Sequence, residues 1–330
     1  MTSNPEIDFV IVWVDGSDPE WQAQRMKYSE EEDLSLNQNE ARYRDWGLLR
    51  YWFRSVEKYS PWVRKIHFVT SGQRPEWLNI HNEKLFVVNH KDFIPAGYLP
   101  TFSSFPIELN LHRIEGLAEQ FVYFNDDMFV SAPVKPTDFF YKGLPRDIAI
   151  RNIPMLYEIG HNNLNCINLI NREFEFHRQF KKYFFKWINF RYGVHLFRSF
   201  FFLPFTEFTG AKNSHVANSY LKETYKEVWN KYGYELDKTC RHRFRCSQDL
   251  LQWVFKYWQL VSGKFYPQWI GYGKAYGIQD IRRVENDVTR RRYKLLCLQD
   301  CENVDDIGDI KDAVISIFQK EFPEKSSFEL

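Results

Sequence analysis

Asp126 and Asp127, adjacent acids at the end of the apolar run FVYFNDDMF, are the residues of this chain best suited to hold a hard divalent cation. A buried strand that stops at Asn125-Asp126-Asp127 would deliver carboxylates to the carboxyl edge of a sheet, where open α/β proteins bind their ligands. No basic residue adjoins the pair, so a cation, and with it a phosphate-bearing substrate, is the natural partner. Asn and Asp also favour turns and helix starts, and the motif alone leaves that reading open. Acids follow two other strand-like runs: Asp15 and Asp18 after Ile7 to Val14, and Asp300 after Tyr293 to Leu298. Parallel strands would bring all three acidic ends to one edge. Between the second and third lie His215 and the run Arg241-His242-Arg243-Phe244-Arg245. A neutral imidazole can take a proton from a hydroxyl, and a guanidinium can stabilise charge on phosphate oxygens, so these types complete a phosphoryl-transfer set. Each has an ordinary reading as well, a solvated loop histidine and a surface arginine patch.

The elements that must position these groups follow from periodicity. Ile7 to Val14 is a near-continuous apolar, β-branched run, expected as a buried parallel strand, and it ends in the turn formers Asp15-Gly16-Ser17-Asp18-Pro19. Trp46, Leu49, Trp52, Phe53, Val56 and Tyr59 recur at helical spacing from Asp45 to Tyr59, before Pro61. Lys65 to Thr70 and Leu85 to Val88 read as strands, and Ile107, Leu111, Ile114 and Leu117 as a helical stripe. This alternation predicts an α/β, Rossmann-like domain with a largely parallel sheet over residues 1–150, the half that carries the Asp126-Asp127 metal-binding pair. Residues 151–205 are expected as a helical, aromatic and basic insertion, and 206–330 as a second half carrying the His/Arg loop, helices over Ser219 to Tyr232 and Ser247 to Trp258, a late strand at Tyr293 to Leu298, and a terminal helix from Glu302 onward. Glu108 and His112, one helical turn apart, could contact sugar or pair with each other.

Composition narrows the field. The formal net charge of +1 provides no global basic field, so nucleic-acid binding is not expected. Aromatic residues reach 18%, an excess compatible with a dense core, with stacking on sugars and bases, or with a membrane interface. Between Glu173 and Phe205 aromatics interleave with Lys181, Lys182, Lys186, Arg191 and Arg198, which fits either a solvated face over a core or peripheral membrane contact. The five cysteines, Cys166, Cys240, Cys246, Cys297 and Cys301, lack disulfide or zinc spacing, so a reducing cytoplasm is expected. The start lacks the basic and long apolar regions of a signal peptide, and no segment has the roughly 18 apolar residues of a membrane span. Cytoplasmic location, with peripheral contact at the inner face of the plasma membrane, is the expectation.

Four blocks in order carry a resemblance. They are IDFVIVWVDGSDPEW; then ARYRDWGLLRYWFRSVEKYSPWVRKIHFVTSGQRPEWL followed by LPTFSSFPIELNLHRIEGLAEQFVYFNDDMFVSAPV; then Phe208 through His215 to HRFRCSQDLLQWV; and finally YKLLCLQD. Together they resemble the Stealth family of sugar-1-phosphate transferases, which includes bacterial capsular and exopolysaccharide phosphotransferases. Ala217 stands where the family often has proline, and Gln299 where it usually has asparagine. The resemblance implies a GT-A-type nucleotide-sugar transferase core, a UDP-sugar donor, a glycan or lipid-linked oligosaccharide acceptor, and Mg²⁺ or Mn²⁺ held by Asp126 and Asp127. It further implies His215 as general base, Arg245 on the transferring phosphoryl group with Arg241 and Arg243 as weaker candidates, and Asp300 as a supporting acid. Asp15, Gly16 and Asp18 would shape the nucleotide pocket, joined by Arg44 and Asp45, although Asp45 suits a helix cap equally. Two competing functions share these residues: a metal-dependent glycosyltransferase that releases UDP, and a non-catalytic carbohydrate-binding protein.

Overall fold

A computed structural model of the chain describes residues 6–31, 43–154, 159–300 and 306–330. Eleven strands lie among them. They are β1 (Ile7–Val12), β2 (Ile66–Thr70), β3 (Leu85–Asn89), β4 (Gln120–Asn125), β5 (Met128–Val130), β6 (Phe140–Tyr141), β7 (Leu144–Asp147), β8 (Asn218–Leu221), β9 (Tyr266–Pro267), β10 (Gly273–Gly277) and β11 (Leu295–Gln299). The main sheet has the order β3-β2-β1-β4-β8. Its first four strands are parallel and β8 is antiparallel, which is the α/β, largely parallel architecture expected from the alternating pattern. β1 and β4 pair over their whole length, from Ile7 opposite Gln120 to Val12 opposite Asn125. Their carboxyl ends, and the acids that follow both, therefore share one edge.

Alternation along β1 sends Phe9 and Ile11 into one core and Val10 into the other. The first core lies under helix Leu49–Tyr59, with Trp52 and Phe53 fully buried, and under the C-terminal helix Ile307–Glu321. The second is formed with helices Gly160–Glu173, Lys222–Cys240 and Trp253–Val261. Segments 1–150, 151–205 and 206–330 all contribute side chains to it, since Val10, Trp187 and Phe255 belong to the same cluster.

Several elements differ from the sequence pattern. The segment expected to begin a helix at Ser219 is first the strand β8, because its buried residues pair with β4; the helix starts at Lys222 and runs on to Cys240. The helix expected from Ser247 begins at Trp253, since Asp249 accepts from the Cys246 backbone N–H at 2.7 Å and holds the preceding turn. The helix expected from Asp45 begins at Leu49, and Asp45 accepts instead from the Gly47 N–H at 2.7 Å, where Gly47 has φ +71°. Helix Pro19–Glu31, absent from the periodicity reading, starts where Asp18 accepts from the Glu20 N–H at 2.9 Å. The late strand β11 is not in the main sheet: it pairs parallel with β10 and antiparallel with β5. Cys301 and the expected helix start at Glu302 lie outside the described residues; the helix proper begins at Ile307.

At the end of the sheet opposite the acids, the fully buried Asp8 carboxylate joins three elements. It accepts from Arg64 Nε at 2.8 Å and Nη2 at 2.6 Å, from the Ala118 backbone N–H at 2.8 Å, and lies 3.0 Å from His67 Nε2. Burial pushes this carboxyl up, and the hydrogen bonds from His67, Arg64 and Ala118 outweigh it, so it sits below the ordinary carboxylate value. Asp8→Ala is expected to cost about 3 kcal/mol in urea unfolding, because it strands the partners of a buried charge. The wild-type contribution is complete above the unfolded carboxyl's pKa of about 4 and disappears as pH falls through the lower folded value, so the difference between variant and wild type should shrink in acid.

Candidate active site

The carboxyl edge of the main sheet opens into a cleft of about 840 Å³, within the range of roughly 300–1,000 Å³ for small-molecule sites. Its floor comprises Val12 to Val14 after β1 and Asn125 to Asp127 at the end of β4. Tyr43 to Trp46 form one wall, Thr101 to Ser104 with Arg245 another, and Asn213 to His215 a third. Leu298 to Asp300 close it from the second sheet. Of the expected residues, Arg44, Asp45, Asp126, Asp127, His215, Arg245 and Asp300 thus line one cleft.

Asp126-Asp127 is a turn as well as a candidate ligand pair: it joins β4 in the main sheet to β5 in the second. Asp126 is exposed to the cleft, yet the protein around the floor, then the charges of Asp127 and Asp45, hold its carboxyl above the ordinary carboxylate value. Burial raises Asp127 likewise, with the neighbouring His215 acting against it. The Cys297 thiol donates to Asp127 Oδ2 at 3.2 Å, whereas Asp127 Oδ1 is buried with no hydrogen-bond partner. Burial and the neighbouring Asp127 push the Cys297 thiol well up, which keeps it a donor. Ligand atoms of Asp127, His215 and Cys297 lie within 4.8 Å of one another. Crowded acids and a carboxylate oxygen lacking a partner fit a divalent cation.

His215 has φ +47°, a conformation uncommon outside glycine, and its backbone N–H donates to Asn213 Oδ1 at 3.0 Å. This local turn aims the loop into the cleft. Arg245 donates to Ser104 Oγ at 3.2 Å, and its guanidinium lies 4.7 Å from the centre of the Phe105 ring. The other two arginines of the run face elsewhere: Arg241 pairs with Asp237 at 2.7 Å, and Arg243 stacks over Tyr28. Asp300 accepts from Arg44 Nη1 at 3.0 and 3.1 Å and from Trp46 Nε1 at 3.1 Å, which ties the second sheet to the Tyr43 to Trp46 wall.

Asp15, Gly16 and Asp18 are absent from the cleft lining, and they act on its wall from behind. Asp15 accepts from the Ser17 N–H at 2.9 Å, and Asp18 accepts from Gln73 Nε2 at 2.7 Å as well as capping its helix. That Gln73 hydrogen bond holds the Asp18 carboxyl below its ordinary value. A Cβ on Gly16 would sit 2.1 Å from the Tyr43 carbonyl oxygen, so only glycine lets the wall close here. Glu108 and His112 have different partners. The Tyr123 hydroxyl lies 3.0 Å from Glu108 Oε1 under the cleft floor, while His112 packs against Tyr225 and Trp229. Cys297, Ser104, Asn213, Trp13 and Trp46 join the site without having been anticipated. Cys297 is placed by its pairing opposite Met128 across a separation of about 170 residues, and no local pattern announces that.

An α/β protein with a sheet-edge cleft that combines acids, an imidazole and a guanidinium has the groups required for transfer to or from a phosphorylated ligand. Comparison with known proteins narrows this. The descriptions "Stealth protein CR1, conserved region 1" and "Stealth protein CR2, conserved region 2" match residues 5–33 and 42–147. The chain is 40% identical to the capsular polysaccharide phosphotransferase WcwK of Streptococcus pneumoniae, over 100% of this chain and 99% of that one. It is 40% identical to the exopolysaccharide phosphotransferase cps2G of Lactiplantibacillus plantarum, over 99% and 98%, and 39% identical to the receptor polysaccharide phosphotransferase WefC of Streptococcus oralis, over 98% and 99%. Among solved structures, an active-site mutant of LgtC matches 94% of this chain and 95% of that one, at 11% identity and a TM-score of 0.40. The chain belongs to the Stealth family and is a transferase enzyme.

The crowding of acids makes a distinctive prediction. Asp127→Asn removes one of the repelling charges, so the metal-free variant should melt about 2 °C higher than wild type. Added Mn²⁺ should raise the melting temperature of wild type and leave that of the variant unmoved; calorimetry with and without EDTA reads both effects.

Proposed function

We propose that the protein transfers a sugar-1-phosphate, hexose or N-acetylhexosamine, from a UDP-sugar to a hydroxyl of a glycan acceptor during assembly of a cell-surface polysaccharide. The observation that carries this reading is the convergence of Asp126, Asp127, His215 and Arg245 on one cleft large enough for a nucleotide-sugar. The names of the full-length relatives, which are phosphotransferases of capsular, exopolysaccharide and receptor polysaccharides, support it. A lipid-linked oligosaccharide at the inner face of the plasma membrane fits as acceptor.

In this reading the acceptor oxygen attacks the phosphorus nearest the sugar. A new P–O bond forms, the P–O bond to the UMP phosphate breaks, and UMP leaves with the electron pair, while the sugar C1–O bond stays intact. His215, held in its loop by Asn213, takes the hydroxyl proton. Arg245, braced by Ser104 and Phe105, stabilises the charge on the equatorial phosphate oxygens. Asp126 and Asp127 would hold Mg²⁺ or Mn²⁺, with His215 within 4.8 Å of Asp127, and a bound cation would supply Lewis-acid charge to the diphosphate. Arg44 and Asp300 act as a pair that fixes the wall. Gly16 and the Asp15 and Asp18 turns act by positioning Tyr43.

The product released from a panel of UDP-sugars tests the reaction. UMP is expected, whereas stoichiometric UDP would establish attack at the anomeric carbon instead. His215→Ala should lower kcat by about 10²- to 10⁴-fold without changing the Mn²⁺ concentration for half-maximal rate. A rise in that concentration would instead make His215 a metal ligand.

A further inference from the structure

Residues 176–206 contain six Lys and Arg and no Asp or Glu, in a chain whose 44 bases and 43 acids nearly balance over its whole length. In the structure this segment divides its aromatics between two destinations. Phe180, Trp187, Tyr192 and Phe202 are buried, whereas Phe185, Phe190, Val194, Phe197 and Phe201 are each 75–82% exposed. The helices Phe184–Trp187 and Leu196–Phe201, with the 3₁₀ turn Phe190–His195 between them, display these apolar tips, and Lys181, Lys182 and Arg198 are exposed beside them.

The display is anchored from beneath. Lys186 Nζ donates to the Gly263 and Phe265 carbonyls at 2.7 and 2.8 Å, and the Tyr192 hydroxyl donates to the Lys186 carbonyl at 2.7 Å. The buried Arg151 guanidinium donates to the carbonyls of Phe202, Phe205 and Glu207, closing the loop after the last helix. Two neighbours extend the surface. The Ile270 N–H donates to the Arg191 carbonyl at 3.1 Å, placing Trp269, itself 60% exposed, alongside; Arg198 donates to Asn152 Oδ1 at 2.7 Å, next to Ile153, 55% exposed.

We propose that this face is a docking surface for a bilayer containing anionic lipid. The exposed phenylalanines gain by entering the acyl boundary, and the bases of the same acid-free segment gain from the negative surface potential; no other feature of the segment uses both. Among the described residues no helix is long and apolar enough to cross a membrane, so docking is peripheral. The surface also connects to the cleft. Arg151 bridges to Ala211, and the chain continues through Lys212 to Asn213 and His215 in the cleft wall. A docked enzyme would therefore hold that wall near the lipid surface, where a lipid-linked acceptor presents its hydroxyl. Only this last consequence rests on the proposed reaction.

Co-sedimentation of the full chain with phosphatidylcholine vesicles, with and without about one-third phosphatidylglycerol, tests the surface without donor or acceptor, so its outcome is separate from that of the UMP assay. Binding is expected to the anionic vesicles only and to weaken with salt. The triple variant Phe190→Ser, Phe197→Ser, Phe201→Ser should lose at least about tenfold in partitioning with an unchanged melting temperature, and Lys181→Gln with Lys182→Gln and Arg198→Gln should lose the salt dependence. Failure of wild type to bind, or undiminished binding by the aromatic variant, overturns the proposal. So does a wild-type dimer that the aromatic variant dissociates while neither binds vesicles, since a second copy would then occupy the face.

Discussion

The in-register parallel pairing of β1 with β4 places Val12 beside Asn125, and the geometry of the cleft descends from that contact. A shift of one residue would turn every side chain of β1 to the opposite face and exchange the two cores. Asp8 pins the register from the far end, since its carboxylate is shared by Arg64, His67 and the Ala118 N–H. With that end fixed, Trp13 and the Asp126-Asp127 turn have to meet at the other. The structure thus uses one compensated buried charge for alignment and leaves a crowded set of acids at the floor of the cleft.

That crowding depends on a change of sheet. β4 ends at Asn125 and β5 begins at Met128, yet the two strands belong to different sheets, so the intervening acids lie at the junction between them. The second sheet brings Cys297 under Asp127, and Asp300 to Arg44 and Trp46, through β11. Only two of the three acidic strand ends line the cleft: Asp126-Asp127 at the end of β4, and Asp300, which arrives across the antiparallel contact of β11 with β5, whereas Asp15 and Asp18 after β1 stay outside it.

Much of this was legible in the chain. The apolar runs at Ile7, Ile66 and Gln120 became neighbouring buried parallel strands, because buried strands require continuous apolar stretches, and the run at Leu85 joined them as the edge strand with Phe86 and Val87 exposed. Asp126, Asp127, His215 and Arg245 could be singled out because their types are scarce in such surroundings and chemically complementary. Boundaries were less legible. Asn218 to Leu221 has the composition of a helix start and is a strand, since the open edge of β4 can be paired by it. Arg241 and Arg243 resemble Arg245 in sequence, and only the direction of the turn held by Asp249 separates the one in the cleft from the two outside.

The sequence by itself determined the α/β class, the acids at the strand ends and the family, all of which follow from local order along the chain. Tertiary structure decided which of those groups share a cleft, that the Asp15 to Asp18 turn acts through Gly16 on Tyr43, that Cys297 touches Asp127, and that half of the aromatic segment faces outward. The physical reason is common to all four. Each is a contact between residues distant in sequence, or a choice of face, and a side chain's type does not reveal its partner until burial and hydrogen bonding have been settled for the whole fold.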